Sequence, residues 1–178
     1  SDHEIAICGL RGSSPVWFLD YTSNKSQIQS TLSSLKCEDV NDDSASLDFT
    51  ELFRSIAAKV RAAQKNSSDS VTFRAILLYG RRESVPIIVG DSPLVDLKNL
   101  YFDVFYLHDA SSSTHKVVAG LRQLQESALS TKGYFFENAK SAHAILRHFI
   151  QLLAHPAQRP KDQSQIQLFD ENFIKKQK

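Results

Sequence analysis

The 178-residue chain contains no methionine, not even at position 1. It is therefore expected to be a processed form or the ordered part of a longer protein. Cysteine is nearly absent too, with only Cys8 and Cys37. Two thiols cannot build a disulfide framework, and a chain of this length buries a core without one. A reducing compartment is expected. No charge of one sign dominates: 21 Lys and Arg stand against 20 Asp and Glu, a formal net charge of +1. No electrostatic excess is present to drive binding to a nucleic-acid backbone. No apolar run approaches the roughly 18 residues of a membrane span, and no signal-peptide pattern opens the chain. Hydrophobic residues make up 42% and charged residues 23%, which disfavours a disordered chain or a fibre.

What is present is strand and helix patterning. Glu4 to Leu10 (EIAICGL) reads as a strand, Arg11 to Ser14 as a turn, and Pro15 to Asp20 (PVWFLD) as a second strand. The short link implies an antiparallel hairpin. Ser23 or Asn24 then caps a helix with Ile28, Leu32 and Leu35 as its apolar positions. Asp48 and Glu51 have capping-box spacing. Behind them Phe49, Leu52, Phe53, Ile56, Ala57 and Val60 keep helical spacing. Thr72 to Tyr79 (TFRAILLY) and Tyr101 to Leu107 (YFDVFYL) are nearly continuous apolar runs. Such runs fit strands covered on both faces of a parallel sheet. Gly80 to Leu100, with the apolar island Val85 to Val89, has no clear helical period and is too long for a simple crossover loop; an insertion that faces a partner is a second reading, and the sequence leaves open whether the island is core or partner surface.

Ser113 or Thr114 caps a helix with Val117, Val118, Leu121 and Leu124 inward. Gly133 to Phe136 is a short strand. A last amphipathic helix carries Ala142, Ile145, Leu146, Phe149, Ile150 and Leu153, and ends before His155-Pro156. Alternation of strands and helices gives an α/β chain with a mainly parallel sheet and one antiparallel hairpin.

Enzyme signatures are missing. There is no G-x-G-x-x-G turn, no Walker-type G-K-[ST], no G-x-S-x-G elbow and no H-E-x-x-H pair. His143 and His148 are five residues apart and fall on different helix faces. His108, Asp109 and Ser111 follow a strand end, where α/β folds bind ligands. Neighbouring side chains there diverge, so loop and cap chemistry is the better reading than a catalytic relay. Glu38, Asp39, Asp42, Asp43, Asp48 and Glu51 form an acidic stretch without the Gly or the spacing of an EF-hand loop. It reads as a solvated loop with helix-start charge. Gly80-Arg81-Arg82-Glu83 ends a strand with two bases that suit an anion or acidic partner, or simply solvent. Trp17, Phe135 and Phe136 read as packing, and Cys8 and Cys37 as buried or neutral thiols.

Three segments together resemble one family. Phe73 to Arg81 (FRAILLYGR), Tyr101 to Asp109 (YFDVFYLHD) and Leu152 to Pro160 (LLAHPAQRP) look like pieces of the von Willebrand factor A-like scaffold subunit of the BRISC and breast-cancer-susceptibility (BRCA) A deubiquitinase complexes. Those assemblies remove polyubiquitin chains joined through lysine sixty-three. The opening HEIAI, the Trp-containing hairpin and LDFTELF fit the same register, so the resemblance spans most of residues 3–160.

The resemblance implies an α/β, von Willebrand factor A-like (Rossmann-type) mainly parallel sheet with helices on both faces. The first strand and helix of that fold, with its D-x-S-x-S metal motif, are missing from this chain. It implies residues 1–154 as the A-like domain and residues 155–178 as a C-terminal partner-binding tail. Gly80, Arg81 and Arg82 stand where a metal-binding A domain carries an Asp, and two guanidinium groups repel a cation. No metal, no cofactor and no catalytic residue are implied. The implied activity is that of a non-catalytic scaffold in the cytoplasm and nucleus, acting in the DNA-damage response and in cytoplasmic deubiquitination. Its tail docks a ubiquitin-conjugating-enzyme-like subunit, and through it the metalloprotease deubiquitinase and a pseudo-enzyme partner. The implied contacts are the P-x-x-R element with Pro156 and Arg159, then Pro160, Leu168 and Phe169. Prolines favour an extended backbone and Arg159 offers a planar fork. The alternative is a metal-dependent ligand-binding A domain that uses the acidic stretch and a restored first strand.

Overall fold

The computed structural model describes residues 3–36, 45–65, 71–108, 115–127, 133–139 and 141–153. The chain opens with the expected hairpin. β1 (Ile5–Arg11) pairs antiparallel with β2 (Ser14–Thr22), with Cys8 opposite Trp17. Gly12 turns the hairpin at φ 57°, a left-handed conformation that suits glycine. α1 (Lys25–Ser34) starts at Asn24, whose Oδ1 accepts from the backbone N–H groups of Ser26 and Gln27 at 3.0 and 3.2 Å. Asn24, and not Ser23, is the cap. This helix buries none of its residues.

Sequence spacing misses two strands. β3 (Ser46–Asp48) and β5 (Val85–Ile87) are three residues each and pair parallel, Leu47 beside Pro86. Such short strands leave no period to detect. β3 also changes the start of α2 (Thr50–Lys65). Asp48 sits in the strand, so the capping box with Glu51 does not form. Instead Asp48 Oδ1 accepts from the Thr50 N–H at 2.8 Å and from the Thr50 hydroxyl, while Glu51 pairs with Arg54. The Thr50 hydroxyl oxygen in turn accepts from Val89 N–H at 2.9 Å, which ties the chain beyond β5 to the helix start.

The other strands form one parallel sheet in the order β4 (Phe73–Tyr79), β6 (Leu100–His108), β7 (Phe135–Ala139). The two-residue period splits its side chains between two cores. Phe73, Leu100, Phe102, Val104, Tyr106 and Phe135 join the larger cluster. It is covered by α2 through Leu52, Phe53, Ala57 and Val60, and by α3 (His115–Ser127) through Val117, Leu121 and Leu124. Phe105 and Phe136 point the other way and meet Leu152 and Phe149 of α4 (Ala142–Leu153). The architecture is therefore mixed α/β with mainly parallel pairing and helices on both faces, compatible with a Rossmann-like fold.

Three expectations change. β6 is buried on both faces, but β4 is an edge strand among the described residues, with Ile76 41% and Leu78 57% exposed. The segment from Gly80 to Leu100 is no plain insertion, because Leu94 and Leu97 are core residues and Gly120 of α3 sits against Val85 and Pro86. Only its Ile87, Val89 and Val95 are exposed large apolar groups. The last helix turns a different stripe to the sheet: His148, Phe149 and Leu152 pack inward, whereas Leu146 is 60% exposed and Ile150 is 44% exposed.

β7 also begins later than the spacing suggests, at Phe135, and runs through Glu137 and Asn138 because these pair with Tyr106 and Leu107. Gly133 precedes it at a close approach, where an added Cβ would lie 1.8 Å from the Phe102 carbonyl oxygen. Gly133→Ala must push β7 off β6. Urea denaturation is expected to show a loss of about 3 kcal/mol; an unchanged midpoint would show that β7 has room to move.

Candidate functional site

The residues expected to dock a partner, Pro156, Arg159, Pro160, Leu168 and Phe169, lie outside the described residues, as does the whole of 154–178. The element they follow is described. α4 ends at Leu153, and two polar contacts fix it on the sheet.

The first contact begins at Asp103, in the middle of β6 and 0% exposed. Its Oδ1 accepts from the Tyr134 backbone N–H at 2.8 Å, just ahead of β7. Its Oδ2 lies 3.8 Å from Arg74 Nε on β4. The same guanidinium donates through NH1 to the backbone carbonyl of Leu152, in the last turn of α4. Carbonyls of a helix's last turn lack intrahelical partners and carry the negative end of its dipole, so a cation is well placed there. One carboxylate and one guanidinium thus join β4, β6, the start of β7 and the end of α4.

The second contact is His148. Its Nδ1 lies 2.6 Å from Oδ1 of the buried Asn138 on β7. Its ring stacks on Phe136 at 4.6 Å between centroids and meets Phe105 edge-on at 6.4 Å. Burial among these rings, and to a smaller extent the nearby Arg147 charge, lowers the His148 pKa below its ordinary value.

Other candidates are placed as follows. His108 stacks on Tyr106 and its Nε2 lies 3.4 Å from Glu137 Oε1, on the sheet face opposite His148. Asp109 and Ser111 lie outside the described residues. Of the acidic stretch, Asp48 serves Thr50 and Glu51 serves Arg54; Glu38, Asp39, Asp42 and Asp43 lie outside the described residues. Donation by the Thr50 hydroxyl and N–H lowers the Asp48 pKa. Among the described residues no group of three or more His, Cys, Asp and Glu side chains is placed to hold a metal ion. Arg81 and Arg82 follow the end of β4, partly exposed and exposed. Cys8 is half-buried and burial raises its thiol pKa, while Cys37 lies outside the described residues.

Trp17 packs against α2. Its Nε1 donates to Ser55 Oγ at 2.8 Å, and Lys59 Nζ stands 4.4 Å above its ring while reaching Asp20 Oδ1 at 2.7 Å. These contacts clamp the hairpin onto α2. That contact lowers the Asp20 pKa. Phe135 and Phe136 are buried on opposite faces of the sheet. An open groove of about 440 Å³ lies between the start of β1 and α1, lined by Ile5, Ile28 and Leu32 with Lys25, Gln29 and Ser33 at its rim. Among the described residues no helix is long and apolar enough to cross a membrane.

A scan against protein-family models finds no match, and searches of curated proteins and of solved structures return no similar chain.

Sequence reasoning missed the Arg74–Asp103 link and the His148 contact. A signal for the first was present: each of the two most apolar runs holds one charged residue, Arg74 in TFRAILLY and Asp103 in YFDVFYL, of opposite sign. A charge inside such a run is buried only with a partner. The register puts Asp103 opposite Ile76, two residues from Arg74 on the same face. His148 and Asn138 carried no comparable mark, because a histidine on a helix gives no sign of which face it takes.

Two tests follow. Asp103→Leu leaves the Arg74 guanidinium and the Tyr134 N–H without their carboxylate, and is expected to cost about 3–5 kcal/mol in chemical denaturation; a cost below about 1 kcal/mol would show that water replaces it. The second concerns pH. A folded-state pKa below the unfolded value means that the unfolded chain takes up the proton first. Stability from His148 is therefore complete above the unfolded value of about 6.5 and is lost as pH falls through the folded value. Melting temperature against pH should fall less steeply below that point in His148→Gln than in the unaltered chain; identical slopes would show that His148 does not couple to folding.

Proposed function

We propose that this chain is a non-catalytic scaffold with a von Willebrand factor A-like domain. It assembles and stabilises a multi-subunit deubiquitinase of the BRISC and breast-cancer-susceptibility A type, in cytoplasm and nucleus, with a role in the DNA-damage response. Residues 1–154 form the domain and residues 155–178 the docking tail. Pro156, Arg159, Pro160, Leu168 and Phe169 make the contact with a ubiquitin-conjugating-enzyme-like subunit. Catalysis belongs to another chain, and this one acts by mass action on the folded complex.

The observation that best supports the A-like reading is a pair of open edges on one core. β1 places Cys8 and Leu10 against the same cluster as Ala75 and Leu77 of β4. Among the described residues β1 pairs only with β2, and β4 pairs only with β6. A parallel strand between them, followed by a helix over Ile76 and Leu78, turns the hairpin and the three-stranded sheet into one sheet. That is the place of the first strand and helix in an A domain. Arg81 and Arg82 beyond β4 fit the non-metal form, because they bring positive charge to the edge where a metal-binding A domain brings a carboxylate.

Arg159→Ala tests the docking. The substitution is expected to weaken capture of the ubiquitin-conjugating-enzyme-like subunit by about tenfold or more, with the melting transition unchanged. Equal capture removes Arg159 from the contact. Calorimetric titration with magnesium, on a chain that includes the added strand, is expected to give no site-specific heat; a stoichiometric heat would favour the metal-dependent alternative.

A further inference from the structure

We propose that Lys59 is an electrostatic latch: its charge holds the N-terminal unit of β1, β2 and α1 against α2, and with that charge removed the unit opens while the β4–β6–β7 sheet stays folded. The role does not depend on the docking reading above.

The N-terminal unit has its own internal ties. β1 and β2 share a ladder that runs from Ile5 opposite Thr22 to Arg11 opposite Ser14. The Thr22 hydroxyl donates to Gln27 Oε1 at 3.3 Å, and Asn24 caps α1. Ile5 lines one groove with Ile28 and Leu32. Toward the rest of the described residues the unit makes no ladder, and α1 buries none of its residues. Cys8 and Leu10 reach the larger core as partly buried groups. A segment with strong internal bonds and few buried contacts outside itself opens at a lower free energy than the whole fold.

Three contacts to α2 converge on one ammonium. Lys59 Nζ lies 2.7 Å from Asp20 Oδ1, 4.4 Å from the Trp17 ring centroid and 5.7 Å from the Tyr21 ring centroid. All three partners belong to β2. The Lys59 side chain is 19% exposed, so these groups stand in for most of its water. Asp20 is 79% exposed, and salt therefore screens its share. A neutral side chain at position 59 loses the ion pair and both ring contacts at once. The Trp17–Ser55 bond and the core contacts of Cys8 and Leu10 remain. The loss of one ion pair and its cation–π contacts shifts the opening equilibrium about three- to tenfold.

Cys8 reports the opening, because it sits opposite Trp17 in the hairpin and packs against the larger core. Burial raises its thiol pKa, and the Lys59 charge pulls it the other way. Removing that charge without opening would therefore slow alkylation. In the whole chain carrying Cys37→Ser, Cys8 is the one thiol. Its labelling by iodoacetamide, well below the melting transition, should be about three- to tenfold faster with Lys59→Met. Methionine keeps the length of the side chain and removes only its charge. Lys59→Arg keeps the charge and should label like the parent. Raising salt from about 0.05 M to about 0.5 M should speed labelling in the parent and leave Lys59→Met unchanged. Amide exchange should rise in β1 and β2 and stay unchanged in β6. Trp17, the only tryptophan, gives a reading that needs no cysteine change: its emission should shift to the red in Lys59→Met and not in Lys59→Arg. Unchanged or slower labelling, an unmoved Trp17 emission, or a parent rate insensitive to salt overturns the latch. So does a rise in exchange of equal size in β6, which would mean that the whole fold has loosened.

Discussion

Asp103 is a carboxylate with no exposed surface, set between Phe102 and Val104 in the most buried strand of the molecule. A charge in that position is expensive unless nearly every lone pair is used. Two partners come from the neighbouring strands. The Tyr134 N–H approaches from the start of β7 and the Arg74 guanidinium from β4, and through Arg74 the end of α4 is drawn in. A slip of either neighbouring strand by one residue would turn Arg74 to the opposite face or withdraw the Tyr134 amide. The apolar residues around it could tolerate several packings, since Leu, Val and Phe make contacts of no fixed direction. The carboxylate admits one. It therefore specifies register where hydrophobic burial supplies the bulk of the stabilisation.

The hairpin is attached by a different device. Lys59 sits over Trp17 and reaches Asp20, while Trp17 donates to Ser55. All of these contacts lie at the surface of α2, and each exposed pair contributes little alone. Cation–π contact and the indole hydrogen bond add direction more than strength. β1 and β2 share no backbone hydrogen bonds with the rest of the sheet among the described residues. The hairpin is thus held by side chains, those on α2 and Cys8 and Leu10 against the larger core, a weaker union than the ladder that joins β4 to β6 and β7.

How much of this was legible in the sequence follows from which residues had periodic neighbours. α2 was clear because Leu52, Phe53, Ala57 and Val60 repeat at helical spacing and all end up buried. The hairpin was clear because a turn separates two β-rich runs. β3 and β5 were invisible, since three residues carry no period and Pro86 argues against a strand. The inward stripe of α4 was misread because Leu146 and Ile150 are as apolar as Phe149 and Leu152, and only the aromatic pocket of Phe105 and Phe136 decides which side goes down. β4 was read as covered on both faces because its sequence is as apolar as that of a central strand. The proposed docking residues lie outside the described residues and came only from the family resemblance: prolines and an arginine after a helix have an obvious second use as a helix stop.

The misread strand bears on function. An edge strand with Ile76 and Leu78 exposed carries no device that protects an edge: no proline, no bulge, and a single charge, Arg74, already committed inward. A sequence shaped as an edge would blunt it. One shaped as a sheet interior would look as β4 does, with apolar residues on both faces and its only charge matched to a buried partner. On α4, Leu146 and Ile150 are exposed as well, while His148 turns its flank of the helix to β7. A strand laid along β4 with a helix behind it would extend the β4–β6 ladder and cover Ile76 and Leu78. It would also join the loosely held hairpin to the sheet that carries Arg74 and Asp103. In the proposed scaffold that union matters mechanically: a protein that works by holding neighbours transmits force through its sheet, and a hydrogen-bonded ladder resists displacement better than a few side chains on α2.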